Sequence, residues 1–438
     1  MGLLKQLLDG LRGIVAKFPD SREGTGWRKY SMEDVGMAAF SLFFMQSESF
    51  LAYQRRLESG HHSSNCQTLF GMSSIPSDNH IRTLLDEVPA NQLQPAFDQV
   101  FESLDHYKGV RHFQVLGDRT LIALDGTEYF CSQKRGCPCC QTRRRSNGVE
   151  ERYHSMLGVS MVTPQDNRVL SLFPEFITPQ DGHDKQDCER EAVKRWLKTH
   201  HHRVAKLKPI YLGDDLFSCQ PVIAEITARG ADFLIVCKPE SHKALYGFVA
   251  GAQLPTHQIT ARQGKKTLIY RYRWMNQVPL RDGKDAMNAN WFSIEISNAE
   301  GKVTYRNAFV TSLPVSAENV AELARCGRAR WKIENGSFNV LKNHGYNLEH
   351  NFGHGQKYLA MLFVTLNLLA FNFHVLCELL DELWRDAFKV QGARVRFFQS
   401  LRSLVSYLLF PSWQLLLQTL IDSKPPPEVL QANSGKGQ

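Results

Sequence analysis

The 438-residue chain lacks the sequence features that mark exported or repetitive proteins. Its first eight residues, Met1 to Leu8, are amphipathic and contain no apolar h-region followed by a small-residue cleavage site, which argues against a secretory signal. Internal repeats and low-complexity tracts are not evident in the sequence. Only the proline-containing tail at 423–438 is predicted to be disordered, so we expect a folded protein over most of the chain.

Long uncharged runs are also scarce. One run, 358–377, has no Asp, Glu, Lys or Arg and is long enough to span a bilayer. It contains Asn367, Asn372 and His374, and no second run of this kind occurs in the sequence. We interpret it as a buried helix in the core of a soluble protein and expect no membrane partner.

The composition is that of an ordinary folded protein, with 43% hydrophobic and 22% charged residues. The length allows about two or three hydrophobic cores, so one compact domain is not expected. The net charge is +8 and the isoelectric point is near 8.9. This mild excess permits a polyanionic partner such as DNA without requiring one.

Cysteine usage indicates a reducing compartment, because the ten cysteines do not form a disulfide-like pattern. Four of them are close together in the sequence: Cys131, Cys137, Cys139 and Cys140. They lack the regular CxxC…CxxC spacing, but they could hold a structural Zn²⁺ ion with His154 as a further ligand. The alternative is a reduced hairpin whose arginines, Arg143, Arg144 and Arg145, contact the DNA backbone.

Residues 1–110 are predicted to be helical, with one helix over 32–57. In this region Arg55, Arg56, His80 and Arg82 could contact DNA or could lie on an ordinary solvated face of a helical bundle. No convincing helix-turn-helix signature is present, so the base-reading element is left open.

From residue 119 the pattern changes to alternating strands and helices. The predicted strands are Thr120–Leu124, Met156–Val162, Val169–Phe173, Pro209–Leu212 and Phe233–Cys237, and the predicted helices are Asp187–Thr199 and Gln220–Arg229. Three strands in a meander, followed by helix, strand, helix and strand, predict a mixed α/β core. This order matches the ribonuclease-H-like sheet, in which the first and fourth strands are adjacent.

The remaining segments flank or interrupt that core. We predict a ribonuclease-H-like catalytic core at 111–238 and 314–360, and a β-rich insertion subdomain at 239–313 between its two parts. N-terminal helices (1–110), C-terminal helices (361–422) and the tail (423–438) complete the predicted organisation.

Three acidic residues have interpretable positions. Asp125 ends the apolar run 120–124, and Asp214 ends the strand-like run 210–213. Glu334 lies in the segment 328–335, which is predicted to be helical. The ends of neighbouring strands, together with a crossing helix, can bring these three carboxylates to one place.

Three converging carboxylates suit a pair of Mg²⁺ or Mn²⁺ ions. Two ions about 4 Å apart can activate a water or a 3′-hydroxyl and stabilise charge on the leaving oxygen of a phosphodiester. Asp125 would bridge the ions, and Asp214 and Glu334 would each hold one. Arg330 and Lys342, on the helix of Glu334, would meet phosphate oxygens. Taken singly, each residue has a commoner explanation as turn chemistry or a surface ion pair.

Together these motifs resemble those of bacterial insertion-sequence transposases of the DDE type, in the branch with a β-rich insertion before the Glu. The matching segments are Asp125–Thr127, Gly213–Phe217, Arg328–Lys342 and Leu348–Gly355. The resemblance covers roughly residues 70–410. It implies a ribonuclease-H-like fold, metal-dependent strand cleavage and transfer, and Asp125, Asp214 and Glu334 as the catalytic acids.

The chain departs from the family pattern on its last helix. The related branch carries a Tyr–Arg–Glu–Lys motif, of which the Arg and the Glu are present. Gly327 stands where the Tyr is expected, and Lys342 lies one residue beyond the expected Lys position. Asp215 competes with Asp214 for the role of the second acid. We prefer Asp214, because Phe217 then stands three residues later as the motif requires.

The resemblance implies a DNA transposase that binds terminal inverted repeats and target DNA and acts as a homodimer in a synaptic complex. It also implies a bacterial, cytoplasmic, nucleoid-associated protein. Two alternatives stay open, a transposase-derived DNA-binding protein that has lost catalysis and a hydrolytic nuclease of the same fold. The presence of all three acids argues against the first, and the insertion and helical extensions argue against the second.

Other candidate DNA contacts lie outside these motifs. Trp274 could stack on an extruded base, although packing in the core is the default for a strand tryptophan. Arg394 and Arg396 could meet phosphates or could cover their own core. His350 and His354 have metal-ligand spacing, but their Gly-rich surroundings favour DNA contact or support of the active site over a separate metal site.

Overall fold

The computed structural model describes residues 2–22, 28–49, 62–179, 188–264 and 266–429. The mixed α/β class predicted from the sequence is confirmed, since these residues form a mixed twelve-stranded sheet surrounded by helices. The strands are β1 (Gln114–Val115), β2 (Arg119–Ser132), β3 (Gln141–Arg144), β4 (Glu150–Val162), β5 (Leu170–Ser171), β6 (Glu175–Ile177), β7 (Pro209–Gly213), β8 (Asp232–Val236), β9 (Thr256–Gln263), β10 (Lys266–Pro279), β11 (Asn288–Asn298) and β12 (Val303–Thr311).

The α-helices of the described residues precede, interrupt and follow the sheet. They are α1 (Leu3–Val15), α2 (Met32–Phe44), α3 (His62–Phe70), α4 (Asp78–Leu85), α5 (Gln94–His106), α6 (Glu189–Val204), α7 (Gln220–Thr227), α8 (Lys243–Ala250), α9 (Val320–Arg328), α10 (Asn339–Asn343), α11 (Leu359–Leu380), α12 (Glu382–Gln391), α13 (Arg394–Tyr407) and α14 (Trp413–Asp422). A π-helix, Ile333–Phe338, lies between α9 and α10.

The centre of the sheet has the strand order β4, β2, β7, β8. β2 is antiparallel to β4 and parallel to β7, and β7 is parallel to β8. The first half of β2 is a continuous run of buried apolar residues, which is the pattern of a strand covered by helices on both faces. Ala123 pairs with Leu212, so Asp125 and Asp214 each lie two residues beyond this pair in the same direction along neighbouring strands.

The β-rich segment predicted at 239–313 does not form a sheet of its own. Its last strand, β12, pairs with β8, and β11, β10 and β9 follow outward in that order. The segment therefore extends the central sheet, and its chain returns along β12 to the core before α9 begins.

The predicted strand Val169–Phe173 is reduced to the two residues of β5. The outer side of this short strand is occupied by α11: the Ser171 N–H donates to the Asn372 side chain at 2.8 Å, and Asn372 Nδ2 donates to the Ser171 carbonyl at 2.7 Å. The backbone groups of Ser171 are thus satisfied by α11 instead of by a further strand.

The uncharged run predicted to be a buried helix forms most of α11. By length and composition this helix could cross a membrane, but 94% of its most apolar window is buried inside the protein. Its polar side chains have internal partners: Asn367 donates to the Tyr346 carbonyl at 2.9 Å, and His374 Nδ1 lies 2.7 Å from the Tyr346 hydroxyl. The helix is therefore the centre of a large apolar core built with the N- and C-terminal helices.

Two sequence predictions extend beyond the described residues. The helix predicted over 32–57 ends at Phe44, and the described residues 45–49 are not helical. Arg55 and Arg56, with the rest of 50–57, lie outside the described residues, as do residues 430–438 of the tail. In the described part of the tail, 423–429, Val429 is buried against the helical core.

Candidate active site

Asp125 lies in the middle of β2, which continues to Ser132 instead of ending at the acid as predicted. The strand continues because it pairs with β4 as a long hairpin, in which Gly158 is opposite Asp125. A Cβ atom at Gly158 would collide with the ring of Phe338. The missing side chain at Gly158 therefore lets the helical segment after Glu334 pack directly on the sheet beside Asp125.

Glu334 and Asp125 are connected by an arginine. Arg330 Nη1 lies 2.7 Å from Glu334 Oε1 and 3.4 Å from Asp125 Oδ2. Glu334 is the second residue of the π-helix Ile333–Phe338 and is about half exposed. π-Helical turns are rare and occur frequently at functional sites. Arg330 therefore forms an ion pair with Glu334, as predicted, and a second one with Asp125.

Asp214 and Asp215 have different surroundings although they are adjacent. Asp214 caps a short 3₁₀ turn by accepting the Leu216 N–H at 3.0 Å. Asp215 accepts the Lys238 N–H at 2.6 Å and the Ser241 hydroxyl, both from the segment that follows β8. Asp215 is therefore engaged in holding neighbouring loops together, whereas Asp214 is the member of the pair that interacts electrostatically with Asp125.

Glu189, the first residue of α6, is a fourth acid that sequence reasoning missed. A Cβ atom at Gly126 would overlap its carboxylate, so Glu189 lies directly against the residue after Asp125. Burial raises the pKa of Glu189, and the nearby charge of Asp214 raises it further. Its only sequence signal is an acid in the first turn of a helix, and Glu191 shares that signal.

The site contains several acids whose negative charges disfavour one another. Burial raises the pKa of Asp125 to about 7; Arg330 opposes this shift, and Glu334, Asp214 and Glu189 add to it. Carboxylates that disfavour one another's charge in this way are stabilised by a cation held among them. The arrangement therefore favours a positive charge beside Asp125, which Arg330 supplies in part.

Comparisons with known proteins give a limited result. No protein-family model matches the chain, and no curated protein matches it. Among solved structures, a similar chain occurs in the cryo-EM structure of the piggyBac transposase synaptic complex with hairpin DNA. The two chains are 12% identical with a TM-score of 0.42, and the match covers 99% of this chain and 82% of that chain. At this TM-score the likeness defines neither the fold nor the activity of the present protein.

The structure shows the surroundings of the two residues, Gly327 and Lys342, at which the chain departs from the helix motif described above. Gly327 is buried, and a Cβ atom there would lie 2.7 Å from the ring of Phe309, so a tyrosine has no room at this position. Lys342, in α10, is 2.8 Å from Glu349. Its ammonium group is therefore paired with an acid that is not among the four of the site.

The predicted zinc ligands are only partly brought together. Cys131 is exposed and lies 3.7 Å from Arg143, and Cys139 is directed at the Lys357 carbonyl. These two cysteines are not members of the group of ligand atoms that the structure brings together. Cys137 and Cys140 meet His154, as the sequence allowed, and also His354, which was predicted to serve DNA contact or the active site instead of a metal.

The three arginines that follow the cysteines, which were predicted to contact DNA, are held by nearby acids and a carbonyl group. Arg143 forms ion pairs with Glu128 and Glu151, Arg145 forms one with Glu151, and Arg144 donates to the Gly148 carbonyl. Ion pairs at the surface exchange readily for phosphate contacts, so DNA binding by Arg143, Arg144 and Arg145 stays a prediction.

Two other predicted DNA contacts, Trp274 and Arg394, are engaged in contacts within the protein. Trp274 is 8% exposed and packs in the core beneath α9, opposite Phe292 of β11, so its indole is not offered to a base. Arg394 Nη2 lies 2.6 Å from Glu378 Oε1, and its Nη1 donates to the Tyr346 hydroxyl at 3.0 Å. Arg394 is thus an internal ion-pair residue, whereas Arg396 on the same helix is exposed.

Proposed function

We propose that this protein is a DNA transposase that cleaves and joins DNA by metal-assisted phosphodiester chemistry of the DDE type. The observation that carries the proposal is the grouping of two acids around Asp125: Arg330 links Glu334 to Asp125, and Asp214 acts on Asp125 electrostatically from the neighbouring strand. The parallel register of β2 and β7 brings Asp125 and Asp214 level.

The strand arrangement supports a ribonuclease-H-like core. β2 and β4 form the first hairpin, β5 continues on the outer side of β4, and β7 and β8 add in parallel on the other side of β2. In such a core the first and fourth strands are neighbours, which is the relation between β2 and β7 here. The three acids then come from the first strand, the fourth strand and the helix that follows the insertion.

The donor set fits Mg²⁺ or Mn²⁺, because carboxylate oxygens are the ligands these ions prefer. Asp125, Asp214 and Glu334 would hold the ions, which supply a Lewis acid and an activated nucleophile when bound. Among the described residues, the Cys/His cluster is the group whose ligand atoms lie close enough together to hold one ion, and these three acids do not form such a group. Arg330 lies between two of the acids and partly neutralises them. Its side chain would turn toward a phosphate oxygen once the acids hold cations.

We further propose terminal inverted repeats and target DNA as the substrates, with a homodimer as the working form, because both ends of an element are cut within one complex. The net charge of +8 is compatible with a polyanionic partner. A bacterial cytoplasmic location at the nucleoid belongs to the same proposal.

A second candidate, a DNA-binding protein descended from a transposase, is favoured by one observation. Arg330 contacts both Asp125 and Glu334, so these acids are already partly neutralised without a metal. If the salt bridges persist with DNA bound, the protein would bind element ends but would not cut them.

Incubation of the purified full chain with the two DNA ends that flank its own coding sequence is the direct test. We expect cleavage at those ends and joining to a target plasmid with Mg²⁺ or Mn²⁺, and neither reaction with Ca²⁺ or EDTA. Cleavage without joining would instead identify a hydrolytic nuclease. Binding without cleavage in either metal would identify the non-catalytic DNA-binding protein.

The neighbouring acids Asp214 and Asp215 provide a matched pair of variants. Asp214→Asn is expected to abolish cleavage, because it removes a carboxylate that interacts with Asp125. Asp215→Asn is expected to keep at least a tenth of the wild-type cleavage rate, because the amide oxygen can still accept the Lys238 N–H. Initial rates of end cleavage in Mg²⁺ measure both effects. The reverse order of the two losses would assign the second acid to Asp215.

A further inference from the structure

Two cysteines and two histidines bring their ligand atoms together in a cluster separate from the acids. The Sγ atoms of Cys137 and Cys140 are 3.8 Å apart, and His154 Nε2 lies 3.5 Å and 3.4 Å from them. His354 Nε2 is 3.4 Å from Cys140 Sγ and 3.1 Å from His154 Nε2. Cys140 and both histidines are buried, and all four ligand atoms lie within 4.8 Å of one another.

Five of the six separations among these ligand atoms are close to those of a tetrahedral zinc site. Zn–S bonds of about 2.3 Å and Zn–N bonds of about 2.0–2.1 Å, at tetrahedral angles, separate two sulfurs by about 3.8 Å, a sulfur and a nitrogen by about 3.5 Å and two nitrogens by about 3.3 Å. The five distances given above agree with these values to about 0.3 Å. Two thiolates and two imidazoles are also a common donor set of structural zinc sites.

The surroundings prepare the ligand atoms for a cation. The Gly355 carbonyl, 2.9 Å from His354 Nδ1, can only accept a hydrogen bond, so Nδ1 carries the proton and Nε2 presents its lone pair to the cluster. The Cys137 N–H donates to Cys140 Sγ at 3.4 Å, a contact that favours the thiolate form that binds metal.

We propose that Cys137, Cys140, His154 and His354 bind one Zn²⁺ ion, and that this ion fastens the segment after the Glu334 helix to the hairpin that carries Asp125. Four protein ligands close the coordination sphere, which is the arrangement of a structural site. His154 is four residues along β4 from Gly158, the partner of Asp125, a separation of roughly 13 Å. The ion is therefore not part of the acid site.

The ligands come from parts of the chain that are far apart in sequence. Cys137 and Cys140 form the turn before β3, His154 lies on β4, and His354 lies in the segment 344–358 that leads from α10 to α11. The same segment is tied to the N-terminal helices, since the Asp86 carboxylate accepts backbone N–H groups from 356, 357, 358 and 359. Zinc would thus join the sheet to the helical core on the C-terminal side of the catalytic helix.

The first test is the zinc content of the purified full chain and of paired cysteine variants, measured by plasma mass spectrometry. We expect about one zinc per chain in the wild type and a loss to background in Cys140→Ser and His354→Asn. Cys139→Ser and Cys131→Ser are matched controls from the same stretch of sequence but outside the cluster, and they are expected to retain zinc. Loss of zinc in the Cys139 variant with retention in the Cys140 variant would overturn the ligand assignment.

A second test uses only the wild-type chain, because a variant that fails to fold would also lose metal. With zinc bound, Cys137 and Cys140 are expected to resist alkylation while Cys131 and Cys139 are labelled. After removal of zinc by a chelator under reducing conditions, all four should be labelled. Replacement of zinc by Co²⁺ should give thiolate-to-cobalt absorption and the strong visible bands of a tetrahedral ion. Equal labelling with and without zinc, or a wild type that takes up no zinc, would overturn the proposal.

The proposed role of the ion in holding the two segments together can be measured separately from zinc binding. Removal of zinc is expected to lower the melting temperature and to expose the bond after Lys357 to trypsin, and re-addition of zinc should reverse both effects. Unchanged proteolysis at this bond would leave a bound ion without the proposed role and would overturn that part. None of these measurements uses DNA, so a failure here is distinguishable from a failure of the proposed transposase activity.

Discussion

Asp125→Asn is expected to abolish DNA cleavage and joining while leaving binding to the DNA ends intact. Asp125 is the acid that the others surround, because it contacts Arg330 and interacts with Glu334, Asp214 and Glu189. Loss of a charged group at the centre of such a site lowers a rate by roughly three orders of magnitude or more. Initial rates of end cleavage in Mg²⁺ and in Mn²⁺, with end binding measured in Ca²⁺, separate catalysis from binding.

Asp118→Asn is the matched control for this experiment. Asp118 immediately precedes the same strand and forms an exposed ion pair with Lys208, so its loss should leave cleavage within about twofold of the wild type. Burial and neighbouring acids disfavour the charge of Asp125, so its removal is not expected to weaken the fold. Cleavage at a wild-type rate by Asp125→Asn would exclude the DDE mechanism. A loss of end binding by this variant would mean that Asp125 acts through the structure of the binding surface.

The positions of Asp125 and Asp214 could be predicted because the information is local. Each follows an apolar run, and the order of strands and helices between them determines which strands become neighbours. Glu334 could be placed on a helix from its flanking pattern. The π-helical form of that segment and the close packing of Phe338 against Gly158 on β4 were not predicted, because neither has a marker in the local sequence.

Contacts between distant segments could not be predicted from the sequence. From their spacing alone, all four cysteines were equivalent candidates for metal ligands. Only Cys137 and Cys140 face the cluster. The fourth ligand, His354, lies 214 residues from Cys140. Glu189 joins the acids only because Gly126 leaves space for its carboxylate. In each case the decisive fact is which side chain the tertiary packing turns inward, and no periodicity in one segment carries that information.

The ion pair of Arg394 with a residue of another helix also could not be predicted from the sequence. Replacement of Arg394 is expected to lower the free energy of unfolding substantially. Arg394→Met leaves Glu378 largely buried without its partner and removes a donor to the Tyr346 hydroxyl. Breaking a buried ion pair from one side costs about 3 kcal/mol of unfolding free energy. The shift of the urea unfolding midpoint, measured at pH 7.5 where Glu378 would carry charge in the unfolded chain, gives this value.

Arg396→Met is the comparison that separates the structural role of Arg394 from DNA contact. Arg396 is exposed on the same helix, so its replacement should leave the unfolding free energy within about 0.5 kcal/mol of the wild type. The double variant Glu378→Gln with Arg394→Met should recover part of the lost stability, because the buried charge is then absent. Equal stability of the Arg394 and Arg396 variants, with weaker DNA binding in both, would instead restore the phosphate-contact role predicted from the sequence. The ion pair observed between Arg394 and Glu378 favours the first outcome, since a guanidinium held at 2.6 Å by a largely buried carboxylate is not free to meet a phosphate.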